Sequence, residues 1–138
     1  MSFVECVPNF SEGRRPEVIA AIRDAIAGVP GTVVLDVSSD PSHNRTVVTF
    51  VAPVSSAAGA AFAGIATAAK LIDLNTHQGE HPRIGATDVC PFIPLEGTSM
   101  ADCIALARTL GERVGRELAI PVFLYERAAA RPLSLIHI

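Results

Sequence analysis

The stretch Thr32 to Val51, TVVLDVSSDPSHNRTVVTFV, decides how the rest of the chain is read. TVVLDV and TVVTFV are β-branched runs, the residue type that fits a pleated, half-buried surface. SSDPSHNR between them is polar and rich in turn formers, so it reads as a connection. Helical patterns lie on both sides of this pair of strands. Upstream, Pro16 opens EVIAAIRDAIAG, where Val18, Ile19, Ile22, Ala25 and Ile26 recur at helical spacing and Gly28 and Pro30 supply the stop. Downstream, an Ala-rich helix is expected up to about Leu74, capped by Ser55 or Ser56.

Further out, Phe3 to Val7 is a short first strand that Pro8 and Asn9 open into a loop, NFSEGRR. Asp88 to Leu95, DVCPFIPL, reads as a strand broken by Pro91 and Pro94 near a sheet edge. A last helix starts at a capping Ser99 and shows Met100, Cys103, Ile104, Ala107, Leu110, Val114 and Leu118 along one stripe. Pro121 stops it, and PVFLY closes as a strand. This order begins with the split βαβ pattern of an α+β ferredoxin-like βαββαβ sandwich and adds a C-terminal helix and strand. All helices are then expected on one face of the sheet, and the bare face calls for a ligand, a second domain or self-association into a homo-oligomer.

Composition narrows the function classes. With 138 residues, 49% hydrophobic and 18% charged, the chain has enough apolar material for one packed core. Net charge is -3 and the eleven Lys and Arg are scattered, so no basic stripe points to nucleic acid. Thr46 to Ala69 carries no charge, but Pro53, Ser55, Ser56, Gly59 and Gly64 interrupt it, so it reads as a strand, a turn and a buried helix rather than a membrane span. Cys6, Cys90 and Cys103 cannot all pair within the chain and no signal peptide opens it, which fits a cytoplasmic location. Residues 1–127 read as one domain and 128–132 as the start of a connection. Leu133 to Ile138, LSLIHI, corresponds to a sequencing-adaptor sequence read through in frame. It fits no helix or strand ending, and is set apart from functional reasoning with His137.

The densest chemistry lies in HQGEHPRIGATDV, His77 to Val89. His77, Glu80 and His81 match H-x-x-E-H, which in a zinc hydrolase works from a helix. Here Gly79 lies inside the motif and Pro82 pushes His81 out of the helical region, so no metal is expected. Without a metal, an imidazole beside a carboxylate is a general base near neutral pH, and Arg83 offers a planar fork for a carboxylate. Three readings compete: an acid–base enzyme, a zinc hydrolase, and a non-catalytic ferredoxin-like module that binds a ligand on its bare sheet face.

VECVPNFSEGR, D-x-S-x-D-x-S-HNR-T-V-x-T-F-V and LID-x-N-x-H-x-GEHPRIGA-x-DVCPFIPL, in that order, resemble the N-terminal subdomain of glutamate formiminotransferase from Phe3 to about Tyr125. The resemblance implies a ferredoxin-like subdomain and transfer of a formimino group from N-formiminoglutamate to N5 of tetrahydrofolate, in histidine degradation. It implies His81 as the base, with no metal. His77 and Glu80 are placed to orient that imidazole, and Arg83 and Arg45 to hold substrate carboxylates. Asn9 and Ser11 after the first strand, and Asp36 in the second, are further candidates for the ligand cleft. A carboxylate inside TVVLDV is expected to be paired or to face a polar cavity. The resemblance also implies a second, similarly folded C-terminal subdomain as partner, so this chain alone is expected to be truncated and inactive.

Overall fold

A computed structural model describes residues 2–72, 86–126 and 134–137. In chain order the elements are β1 (Phe3–Cys6), β2 (Asn9–Phe10), α1 (Pro16–Ala27), β3 (Val33–Asp40), β4 (Arg45–Pro53), α2 (Val54–Leu71), β5 (Thr87–Pro94), α3 (Met100–Leu118), β6 (Phe123–Glu126) and β7 (Ser134–His137). β1 and β2 are one strand interrupted at Val7 and Pro8. Both pair antiparallel with β4 on one side and β5 on the other. With β3 outside β4, the order β3, β4, β1/β2, β5 is the ferredoxin-like sheet, and β7 and β6 extend it beyond β5. The fold is therefore α+β and ferredoxin-like, with the extra helix and strand read from sequence and one strand more.

The helices form one layer. Val18, Ile22 and Ile26 of α1 and Ala57, Ala60, Ala61, Ile65 and Ala68 of α2 are buried against Val4, Cys6, Phe10, Val48, Phe50, Ala52, Cys90 and Phe92 of the sheet. α2, by length and hydropathy the one described helix that would suit a bilayer, is the central helix of this layer and meets both α1 and α3. Gly64 makes that fit possible, because a Cβ there would lie 2.8 Å from Ile26 Cδ1 and 3.2 Å from Phe10 Cζ. α3 begins as expected: the Ser99 side chain accepts from the Asp102 N–H, and the Asp102 carboxylate accepts from the Ser99 N–H.

Five local expectations are corrected. Asn9 lies in a strand, since the chain rejoins the sheet immediately after Pro8. Ser38 to Asp40 belong to β3 rather than to the connection, because each finds a partner on β4 and only Pro41 to Asn44 turn. Ser55 and Ser56 do not cap α2. It starts two or three residues earlier, at Val54 after Pro53, whose fixed φ suits a helix entry, and the Val54 N–H is taken up by the Ser2 carbonyl at 3.0 Å. β5 is not at an edge. Pro91 is tolerated inside the sheet because its carbonyl faces Val7, accepting at 3.1 Å, so its missing N–H faces the β1/β2 interruption where no ladder bond exists to lose. Finally, Ser134–His137 of the run set apart as a tail forms β7, filling the slot between β5 and β6 and pairing antiparallel with both.

Candidate functional site

Side chains alternate across a strand, so burying Thr46, Val48, Phe50 and Ala52 of β4 under the helices turns Arg45, Val47, Thr49 and Val51 to the opposite face, bare of any helix among the described residues. The pairing then sorts the other candidates. Asn9, Val47 and Ser38 share one cross-strand row. Asp36 stands opposite Thr49 and Asp40 opposite Arg45, one row to either side. Glu5 with Val51 and Ile93, and Val33 with Val51, lie toward the other end. The bare face is polar at the end nearest the β3–β4 turn and mainly apolar at the other.

Asp36 is exposed, which corrects the expectation that it must be paired or enclosed. β3 is an edge strand with a register shift between Val34 and Asp36, and water reaches the carboxylate directly. Asn9 donates from Nδ2 to the Val7 carbonyl at 3.0 Å, fixing its side chain across the Pro8 break. Ser11 is fully buried, and its N–H donates to the Ala86 carbonyl at 2.8 Å.

The loop after β2, which the sequence reading marked through Ser11, is organised by residues that it passed over, Glu12, Gly13 and Arg15. Glu12 is 4% exposed, and its carboxylate accepts from the N–H groups of Arg14 and Arg15 and, at 2.7 Å, from Arg15 Nε. Burial pushes its pKa up, but the Arg15 side chain and the two backbone N–H groups outweigh this and bring it below the ordinary value. Arg15 then reaches on to donate to the Leu71 carbonyl, at the end of α2, at 3.1 Å. On its other side the loop is clamped to the β3–β4 turn. The Gly13 N–H donates to Asn44 Oδ1 at 2.7 Å, Thr46 Oγ1 donates to the Glu12 carbonyl, and Arg14 Nε donates to the Pro41 carbonyl at 2.7 Å. Gly13 is required, since a Cβ there would sit 2.5 Å from both the Arg45 nitrogen and the Asp40 carbonyl oxygen. The anchoring of SEGR is not legible in sequence, because the side-chain contacts that hold it to the rest of the fold are with residues 27 to 56 positions away.

Ser11 to Arg15 thus fastens both flanks of the interval 73–85, at Leu71 and at Ala86. His77, Glu80, His81 and Arg83 fall in that interval and lie outside the described residues. The candidates that are described, Asn9, Ser11, Asp36 and Arg45, gather at the polar end of the bare face or in the loop beside it. The cysteines behave as core residues: Cys6 and Cys90 are fully buried with sulfurs 3.5 Å apart, burial pushes the Cys6 thiol well up, and it raises that of Cys103 to about 11.

The formiminotransferase domain, N-terminal subdomain, matches this chain over residues 3–135. The chain belongs to that family. The glutamate formimidoyltransferase of Thermoplasma acidophilum is 61% identical over 132 residues, 96% of this chain and 44% of that protein. The formimidoyltransferase-cyclodeaminase of Rattus norvegicus is 54% identical over 129 residues, 94% of this chain and 24% of that protein. A Streptococcus pyogenes glutamate formimidoyltransferase is 48% identical over 129 residues, 94% of this chain and 43% of that protein. The chain therefore spans less than half the length of these relatives. The family match runs into β7, the strand that the sequence reading had set apart.

Proposed function

We propose that this chain is one half of a glutamate formimidoyltransferase, moving a formimino group from N-formiminoglutamate to N5 of tetrahydrofolate in the cytoplasm. The observation that carries the reading is the family match joined to the polar end of the bare sheet face, where Asn9, Asp36 and Arg45 collect beside the loop that fastens both flanks of the GEHPR interval. In this reading N5 attacks the formimino carbon while His81 takes the N5 proton, and the tetrahedral adduct collapses with departure of glutamate. His77 and Glu80 orient that imidazole. Arg45 and Arg83 hold substrate carboxylates as planar two-pronged donors. No metal takes part.

The bare face is half of a cleft, and a second formiminotransferase subdomain is its partner; copies of this chain are expected to associate through the same face when that partner is absent. Positioning both reactants together supplies ~7 to 11 kcal/mol of a barrier of this kind, so this chain alone is expected to be inactive. The test is a transfer assay with a separately expressed second subdomain. His81→Ala is expected to lower kcat by roughly 10²- to 10⁴-fold with an unchanged melting temperature. Turnover per folded molecule near that of the wild type would overturn the assignment. Chelator treatment is expected to change neither turnover nor melting temperature, and a loss restored by zinc would favour a zinc hydrolase instead.

A further inference from the structure

Along the strand formed by β1 and β2, the side chains of Phe3, Glu5, Val7 and Asn9 look onto the face bare of helices, while Val4, Cys6, Pro8 and Phe10 between them are buried. Glu5 is the charged member of this row, and its neighbours are apolar. Phe3 and Val7 flank it along the strand, and Val51 and Ile93 stand opposite it on β4 and β5. A strand with neighbours on both sides favours β-branched and aromatic residues and is depleted in Glu, so packing does not explain its presence.

The other carboxylates on this face are provided for. Asp40 accepts from the His43 ring, from the Ser42 N–H at 3.0 Å and from Ser42 Oγ at 2.9 Å. The bond with the His43 ring, then those from Ser42, bring its pKa from 3.8 to about 2. Asp36, on the edge strand, is exposed to water. Glu5 is partly buried in the middle of the sheet, and its carboxylate has no hydrogen-bond or ion-pair partner among the described residues.

Whatever closes over this face takes water from that carboxylate and must replace it with donors. A carboxylate offers two acceptors side by side, and its complement is a pair of N–H groups at matching spacing. The 2-amino-4-oxo edge of a pterin carries such a pair, one N–H at N3 and one on the exocyclic amino group. We propose, resting on the transferase reading, that Glu5 is the residue that reads the pterin ring of tetrahydrofolate, its two oxygens accepting from N3–H and from the 2-amino group. The ring lies over Val7 with N5 turned toward Asn9. The four residue steps from Glu5 to Asn9 span about 13 Å, which leaves room for a bicyclic ring between the carboxylate and the polar end where Asn9, Asp36 and Arg45 collect. Apolar side chains beside a convergent polar group are what a planar heterocycle needs: surface for its faces and acceptors for its edge.

The test begins with NMR of the 138-residue chain carrying ¹³C-labelled carboxylates, with the two parts of the co-substrate as separate probes. 6-Methyltetrahydropterin, the ring alone, is expected to shift the Glu5 carboxylate and the amides of Val7, Val51 and Ile93. p-Aminobenzoylglutamate, the tail alone, should leave Glu5 still. In the enzyme assembled from both subdomains, Glu5→Gln should weaken tetrahydrofolate binding by ~10- to 100-fold, the range for hydrogen bonds to a charged group, with the KM for N-formiminoglutamate and the melting temperature unchanged. A 2-desamino tetrahydrofolate, which lacks one of the two donors, should lose much less on the same substitution. A Glu5 carboxylate unmoved by the ring, an equal loss for both folates, or a Glu5→Gln enzyme with wild-type affinity for tetrahydrofolate overturns this proposal and leaves the transferase reading standing. If that last variant also holds its second subdomain more weakly, the donors that meet Glu5 belong to the partner protein and not to the pterin. A wild-type pair of subdomains without transfer activity overturns both.

Discussion

The two faces of strand β4 divide the work of the molecule. Thr46, Val48, Phe50 and Ala52 are buried beneath the helices, while Arg45, Val47, Thr49 and Val51 of the same nine-residue strand are only partly covered and look onto Asn9, Ser38 and Asp36. Two-residue periodicity makes this division unavoidable, and a slip of one residue would exchange the two sets. One face carries the packing that holds the fold, and the other carries the described site candidates Asn9, Asp36 and Arg45.

The sharpest way to break this contrast is to truncate one residue on each face. Phe50→Ala removes a fully buried ring and should cost ~4 kcal/mol by thermal or denaturant unfolding. Val47→Ala, on the other face, should cost well under half of that, because its side chain is only partly buried and no described helix packs on it. Measured at a concentration where the chain is monomeric, equal losses would show that this face is packed within the chain itself.

Next in size is the clamp joining the loop after β2 to the β3–β4 turn. Gly13→Ala forces a methyl group against backbone atoms of Asp40 and Arg45, which cannot rotate away, and should cost ~3 kcal/mol in melting measurements. Gly64→Ala serves as the control. Its methyl meets side-chain atoms of Ile26 and Phe10 rather than backbone, and the alanine gains about 1 kcal/mol of helix propensity, so the net loss should be smaller. The reverse ranking would mean that the clamp yields.

A smaller effect separates the carboxylates of this end by pH. Glu12 and Asp40 both have folded-state pKa values below their ordinary ones, so each stabilises the fold above its unfolded value and loses that contribution as pH falls through its folded value. For Asp40 the window runs from about 3.8 down to about 2. Glu12→Gln should cost about 2 kcal/mol at neutral pH, since it removes charge-assisted bonds to a nearly buried group. The gap to the wild type should close on acidification below 4.5, the ordinary value for Glu12. A gap independent of pH would assign the loss to packing.

The contrast also explains what the sequence could tell. β-branched runs, helical periodicity and the Ser99 cap are local signals, and they placed three helices and the strands of the ferredoxin-like core within a few residues. β7 was missed because a four-residue run has no periodicity of its own and becomes a strand only by filling the slot between β5 and β6. Asn9, Asp36 and Arg45 were legible as candidates, but their shared face depends on register, which comes from pairing rather than from any one segment. Glu12 and Gly13 were passed over because what makes them matter, Arg15 reaching Leu71 and the backbone of Asp40 and Arg45, is distant in sequence. Asp-Pro-Ser-His reads as a turn, and that the turn also orients an imidazole is visible only once the side chains are placed.

The most direct test of the division between the faces is backbone amide NMR of this chain titrated with tetrahydrofolate. Shifts are expected at Asn9, Asp36, Val47 and Thr49 and in the loop from Ser11 to Arg15, with the outer surfaces of α1, α2 and α3 unchanged. Shifts confined to the helices, with the bare sheet face unmoved, would contradict the assignment of the ligand to that face.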